Sequence, residues 1–175
     1  MNLKDLQKPL DIKDIDFRIQ SINKHGYATI LAYKDARVDM KRLDEVCEFN
    51  WQKDYKLIDG RLYCGIGIKN NDEWIWRWDV GVESYAEKEK GQASDSFKRA
   101  GFCWGIGREL YDFPTIQIKL NEKEYTIKGD KVYATYELKL RDWRWELQRD
   151  ESGITFLGCK DTNDKLRWKY GEFKK

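Results

Sequence analysis

Residues 55–80, YKLIDGRLYCGIGIKNNDEWIWRWDV, decide the fold. Asp59-Gly60 stands between two β-prone runs, 55–58 and 61–68. An Asp-Gly pair in that setting is a strong hairpin signal, because both positions tolerate positive φ. Asn70-Asn71-Asp72 marks a second turn. Residues 73–80 then alternate Trp74, Trp76 and Trp78 against Ile75, Arg77 and Asp79, a period of two that predicts a strand with one aromatic face. Three antiparallel strands in series result. Their tryptophan face reads as core or interface rather than as a base-stacking surface.

Downstream, 88–111 has helical length and is stopped before Pro114. Turned at about 100° per residue, it carries Phe97, Ala100, Gly101, Trp104 and Tyr111 on one side and Cys103, Ile106 and Leu110 on another, with Phe102 opposite the first group. One sheet needs one apolar stripe, so a second stripe predicts a second contact, most simply another copy of the chain. Phe97, Phe102, Trp104, Ile106, Leu110 and Tyr111 are the expected core and oligomer residues. Lys98 and Arg99 lie in the middle of this helix. A charge out of water needs a partner. With Ser94 and Asp95 a turn before and Phe102 and Cys103 a turn after, the pair is expected to meet its anion outside the chain. Without its surroundings it reads as a solvated face.

Upstream, residues 27–33 (YATILAY) suit a strand. A helix is expected from Asp39, as N-cap, to about Asn50, with Leu43, Val46 and Cys47 at helical spacing. Residues 16–22 are a short strand or a turn of helix, and 1–14 a flexible or loosely docked polar arm. Beyond Pro114, strands are expected at 116–120, 124–127, 131–140, 143–148 and 154–157. The fold class is α+β: an antiparallel β-β-β-α core with a preceding helix and a small C-terminal β appendage. The corresponding divisions are an arm (1–26), a core (27–114) and a β-rich extension of the same domain (115–175).

The chain has 175 residues, with 33 Lys and Arg against 31 Asp and Glu, a net charge of +2. A nucleic-acid site must therefore be focused in a groove rather than spread over the surface. Cys47, Cys64, Cys103 and Cys159 are isolated from one another and from His25, which argues against a structural zinc site and for a reducing compartment. With neither an apolar leader nor an 18-residue apolar run, the chain is expected to be soluble, cytoplasmic and without membrane contact.

The order of four segments carries a family resemblance: YKDARVDMKRLDEVCEFNWQKDY, DGRLYCGIGIKNNDEWIWRWDVG, EKEKGQASDSFKRA and ASDSFKRAGFCWGIGRELYD. Over about residues 30–114 the chain resembles the Rad52 family of single-strand annealing proteins, in its bacteriophage and bacterial branch. The resemblance implies a β-β-β-α core assembled into homo-oligomeric rings or open helical filaments. Single-stranded DNA would run in an outer groove, with no ATP or other cofactor, in recombination and repair within a bacterial or phage-infected cell. By that resemblance Lys98 and Arg99 match the basic pair that holds the DNA backbone, and Arg37 a basic residue before the first helix. Phe102 stands where animal members carry a third cation, so Arg108 or Lys90 is expected to substitute. Arg61 and Arg77 could line the groove, although cross-strand ion pairs with Asp59 or Glu73 explain them equally. Backbone-only contacts would leave base edges free for a complementary strand. Single-stranded DNA and further copies of the chain are the expected partners, with a single-strand-binding protein as a third candidate.

Two other classes share some of these features. Asp130 with Glu137-Leu138-Lys139 has the spacing of a metal-dependent nuclease, but the last three also suit the polar face of a strand. A structural ring without a DNA role shares the assembly and lacks the groove. The glycine pairs at 65–69 and 105–108 are too short for a phosphate-binding loop.

Overall fold

The computed structural model describes residues 1–82 and 88–174, with side chains of the second segment from residue 91. In chain order the strands are β1 (Asp16–Ile22), β2 (Tyr27–Tyr33), β3 (Trp51–Ile58), β4 (Arg61–Asn70), β5 (Glu73–Val80), β6 (Ile116–Lys119), β7 (Tyr125–Lys128), β8 (Lys131–Ala134), β9 (Arg144–Asp150), β10 (Gly153–Lys160) and β11 (Leu166–Gly171). The helices are α1 (Ala36–Cys47) and α2 (Lys88–Trp104). The α+β class holds, and every strand pairing is antiparallel. Two compact units form: 1–10 with 34–111, and 11–33 with 112–175.

In the first unit β3, β4 and β5 pair in that order. Both connections are two-residue turns with both residues left-handed: Asp59 (φ 48°) with Gly60 (φ 74°), and Asn71 (φ 49°) with Asp72 (φ 66°). That geometry matches the right-handed twist of the flanking strands. The register is continuous from Trp51 opposite Ile68 to Ile58 opposite Arg61, and from Tyr63 opposite Val80 to Asn70 opposite Glu73. One sheet face sends Cys64, Ile66 and Ile68 into a core with Phe97, Ala100 and Trp104 of α2 and Leu43 and Cys47 of α1. The indole N–H of Trp104 donates to the Ile66 carbonyl at 2.9 Å, so the largest core ring is also anchored. The first ten residues are docked rather than loose: Leu6 joins this core, and Leu10 is buried.

The tryptophans of β5 lie on the opposite face, outside this core. A Cβ at Gly65 would stand 2.5 Å from the Trp78 ring, and one at Gly67 would stand 2.8 Å from the Trp76 ring. Only glycine lets those indoles lie against the β4 backbone.

Helix α2 ends at Trp104, short of the expected Tyr111. Gly105 takes φ 98°, its N–H donates to the Phe102 carbonyl, and the Ile106 N–H reaches back to the Gly101 carbonyl, each at 3.0 Å. These paired bonds are a Schellman stop. The turn folds Ile106 back into the same core, while Leu110 is half-buried and Tyr111 is 73% exposed. The second apolar stripe inferred for a long helix therefore does not form. Phe102 is half-buried against Tyr111, with ring centroids 5.2 Å apart.

Asp39 is not the N-cap of α1. Asp35 is, accepting the Arg37 backbone N–H at 2.9 Å, and the helix ends at Cys47 rather than near Asn50. Asp39 is fully buried one turn further on.

In the second unit β2 lies between β1 and β6, and β10 lies between β9 and β11. A separate hairpin, β7–β8, turns through Gly129 (φ 61°). Residues 27–33, grouped with the core by the sequence reading, are part of this unit. The strand expected to run over 131–140 stops at Ala134, so Glu137 and Lys139 lie in irregular chain rather than on a strand face. Phe17 stacks on Trp145 at 3.6 Å between centroids. The guanidinium of Arg167 is buried against Trp143 and grips Glu124 with both terminal nitrogens, at 2.7 and 2.9 Å; Asp161 lies 3.3 Å away.

Candidate nucleic-acid interface

Adjacent residues on a helix diverge by about 100°. Lys98 and Arg99 accordingly point to different flanks of α2, and each meets different chemistry.

The Arg99 flank faces β5. Its Nε lies 3.3 Å from Asp79 Oδ1, so the expectation that the pair lacks an internal counter-charge fails for Arg99. Asp79 is twenty residues away in sequence and reaches α2 through strand pairing, which helix spacing alone does not reveal. Asp95, the acid within one turn, instead accepts the Val82 N–H at 2.9 Å. The Asp79 contact uses Nε alone, and both groups are partly exposed, so the pair is weak.

Arg77 and Arg108 converge on the end of the same helix. Arg77 donates to the Cys103 carbonyl and lies 4.4 Å over the Trp104 ring. Arg108 donates to the Phe102 carbonyl at 2.8 Å and the Cys103 carbonyl at 2.9 Å. The C-terminal carbonyls and negative dipole end of α2 draw both. The cross-strand pairs considered for Arg77 do not form. Around Cys103, burial pushes the thiol up and Asp79 pushes it further, while Arg108, Arg77 and Arg99 act against both. Three guanidinium groups and the Asp79 carboxylate thus act on one small region around Cys103.

The Lys98 flank faces α1. Lys98 is half-buried and has no ion pair with a described residue. Its positive field reaches Asp35 and Asp39. Arg37 is exposed and donates through Nε to Asp35 at 2.8 Å, beside the start of α1. Beneath Lys98 lies a buried pair that sequence reasoning missed: Lys34 Nζ with Asp39 Oδ1. The Lys34 ammonium also lies 4.3 Å over the Phe102 ring and 3.4 Å from the Lys98 carbonyl. Burial pushes the Asp39 carboxyl up to about 6 against the pull of Lys34, and burial likewise drives the Lys34 ammonium down. The two sit five residues apart, one outside the helix and one in it, a spacing that carries no sequence signal.

Arg61 is exposed beside the β3–β4 turn, remote in the strand register from Arg77. The Lys90 side chain lies outside the described residues. The structure thus gathers Arg77, Arg99 and Arg108 at one end of α2, places Lys98 and Arg37 on the α1 side, and leaves Arg61 apart. Asp130 of the nuclease alternative is held by Lys24 at 2.9 Å.

Residues 56–128, from the end of β3 through α2 to β7, match the family described as the Rad52/22 family double-strand break repair protein. Over that stretch the chain is similar to the Rad52/22 family. Two curated relatives carry the name single-stranded DNA-binding protein DdrA. The one from Deinococcus radiodurans is 31% identical over 121 residues, 65% of this chain and 58% of the relative. The one from Deinococcus deserti is 31% identical over 129 residues, 70% of this chain and 64% of the relative. The chain thus spans about six tenths of the length of the relatives it matches. No solved structure matches it. The family match encloses the end of β3, all of β4 and β5 and the whole of α2, including all the gathered cations except Arg37.

Proposed function

We propose that the chain binds single-stranded DNA by its phosphates and anneals complementary strands without ATP, as a homo-oligomer acting in recombination and repair in a bacterial cell. The observation that carries this reading is the cation arrangement on α2, inside the family match. Lys98 has no ion pair with a described residue, Arg99 meets Asp79 through Nε alone, and Arg77 and Arg108 bond backbone carbonyls at the end of α2. Each guanidinium keeps terminal N–H groups beyond its protein contact, suited to phosphate oxygens. The names of the DdrA relatives support the same ligand.

Phosphate contacts fix a strand without reading it, and they leave base edges available for pairing. A net charge of +2 per chain is modest, so repetition of the site around an oligomer supplies the avidity. Exposed apolar side chains on the first unit support self-association, notably Phe49, which is 99% exposed, and Leu57 at the β3–β4 turn. A single-strand-binding protein is a further partner under this reading.

The test is annealing of two complementary oligonucleotides, followed by a fluorescent duplex reporter, without nucleotide or added metal. The wild-type chain is expected to accelerate annealing, and Lys98→Ala with Arg99→Ala to abolish the acceleration while particle size by electron microscopy is kept. Unchanged DNA affinity in the double variant would remove the site assignment.

A further inference from the structure

The sheet face opposite α2 carries chemistry that the α2 site does not use. Along β5, Trp74, Trp76 and Trp78 project to this side, and Trp74 is 40% exposed. Trp76 and Trp78 lie nearly parallel, 5.5 Å between centroids at 23°. Their inner sides rest on Gly67 and Gly65. Lys56 stands 4.3 Å over the Trp78 ring, which puts its ammonium on the same side. By strand alternation Arg61 and Lys69 of β4 share this face, with Asp54 of β3 as its acid. Lys69 makes only an exposed pair with Asp72 at the turn.

We propose that this outer face is a base-stacking surface for single-stranded DNA, with Trp74 and Trp76 receiving bases and Lys56, Arg61 and Lys69 meeting phosphates; this rests on the single-stranded DNA reading above. Three cations against two carboxylates, Asp54 and the turn residue Asp72, leave the face net positive and complement a polyanion. They oppose a face-to-face contact with a second copy, which would set the same positive patch against itself. Same-side residues along a strand recur about every 6.8 Å, twice the rise of about 3.4 Å per stacked base, so an extended strand finds a ring at each step. Aromatics on an open antiparallel sheet, interleaved with cations, take bases through their π-faces without choosing among sequences. Stacking occupies the base plane and leaves the pairing edge free, so it is compatible with annealing.

The experiment compares oligothymidylate with an abasic oligodeoxynucleotide of equal length, which keeps the phosphates and lacks the bases. Binding is read by anisotropy and by quenching of tryptophan fluorescence. The wild-type chain is expected to prefer oligothymidylate by about tenfold or more per stacked ring. Trp74→Ala with Trp76→Ala should erase that preference and leave abasic affinity unchanged. Lys98→Ala should weaken both ligands by the same factor, which separates the two sites. Should the double variant not fold, Trp74→Ala alone is expected to lose about tenfold with oligothymidylate and nothing with the abasic strand, with Trp74→Phe retaining most affinity. Equal wild-type affinity for the two ligands overturns the proposal. So does a change of particle mass in Trp74→Ala, which would make the face a contact between copies. Failure of the wild type to bind either ligand overturns it together with the single-stranded DNA reading.

Discussion

Asp39→Ala isolates the buried pair beneath α2. In the native chain Lys34 is 2% exposed, and its ammonium pairs with Asp39 with the Phe102 ring beside it. Truncating Asp39 leaves a buried charge uncompensated, which costs about 3–5 kcal/mol. Replacing both members removes the charge as well, so Lys34→Met with Asp39→Ala should stay within about 1–2 kcal/mol of wild type. For a chain of this length the single variant then melts about 6–20 °C lower. The assay is urea unfolding followed by tryptophan fluorescence, at pH 8. That pH lies above the value of about 6 to which burial raises the Asp39 carboxyl, so Asp39 carries its charge. A single variant that loses less than about 1 kcal/mol, or a double variant as damaged as the single, would refute the reasoning.

Gly101→Ala tests the same region sterically. The added methyl would land on Asp39 Oδ1, 3.0 Å from its Cγ and 3.5 Å from Lys34 Nζ. The helical preference for Ala, about 1 kcal/mol, is outweighed by overpacking of about 1–3 kcal/mol together with disturbance of the pair, so a net loss is expected in urea unfolding. A stabilised variant would contradict the packing. In the second unit, burial pushes the Glu124 carboxyl up, but the Arg167 hydrogen bonds and the Asn121 N–H outweigh it and hold the carboxyl below its ordinary 4.5. Asp161 shows the same balance, with burial opposed by the Asn163 and Lys165 N–H groups and Arg167. Folded, both hold protons less tightly than unfolded, so their stabilisation is complete above about pH 4.5 and is lost as pH falls further. Glu124→Gln should lower the thermal midpoint at pH 7 and flatten its fall toward pH 3. An equally steep fall in the variant would exclude this pair as a source of acid sensitivity.

The three-stranded sheet was legible because Asp59-Gly60 and Asn71-Asp72 encode their turns locally, and because the Trp alternation of β5 has period two over its full length. The end of α2 was less legible. The helical wheel treats 105–107 as continuous, yet the glycine at 105 supplies the left-handed residue of a Schellman stop, and Ile106 then changes sides. Asp39 was misread because an acid four residues before Leu43, at the head of a helically spaced apolar set, resembles a cap, whereas its partner Lys34 lies outside the helix. Arg99 and Asp79 meet only through strand pairing, and Arg77 and Arg108 meet only at a helix end. These are tertiary coincidences without a local signature. Strand β11 escaped notice because its apolar positions are interleaved with Lys and Arg, one of which, Arg167, is buried by Glu124 and Asp161 rather than by apolar contact.

The central claim is that cations of α2 bind the phosphates of a single strand. Affinity for a labelled oligothymidylate, measured against salt for wild type and Lys98→Ala, tests it most directly. The expected result is a linear fall of log affinity with log salt, with a slope smaller by about 0.7 per chain in the variant, the loss of one phosphate contact. A salt-independent affinity, or the same slope in both proteins, would contradict it.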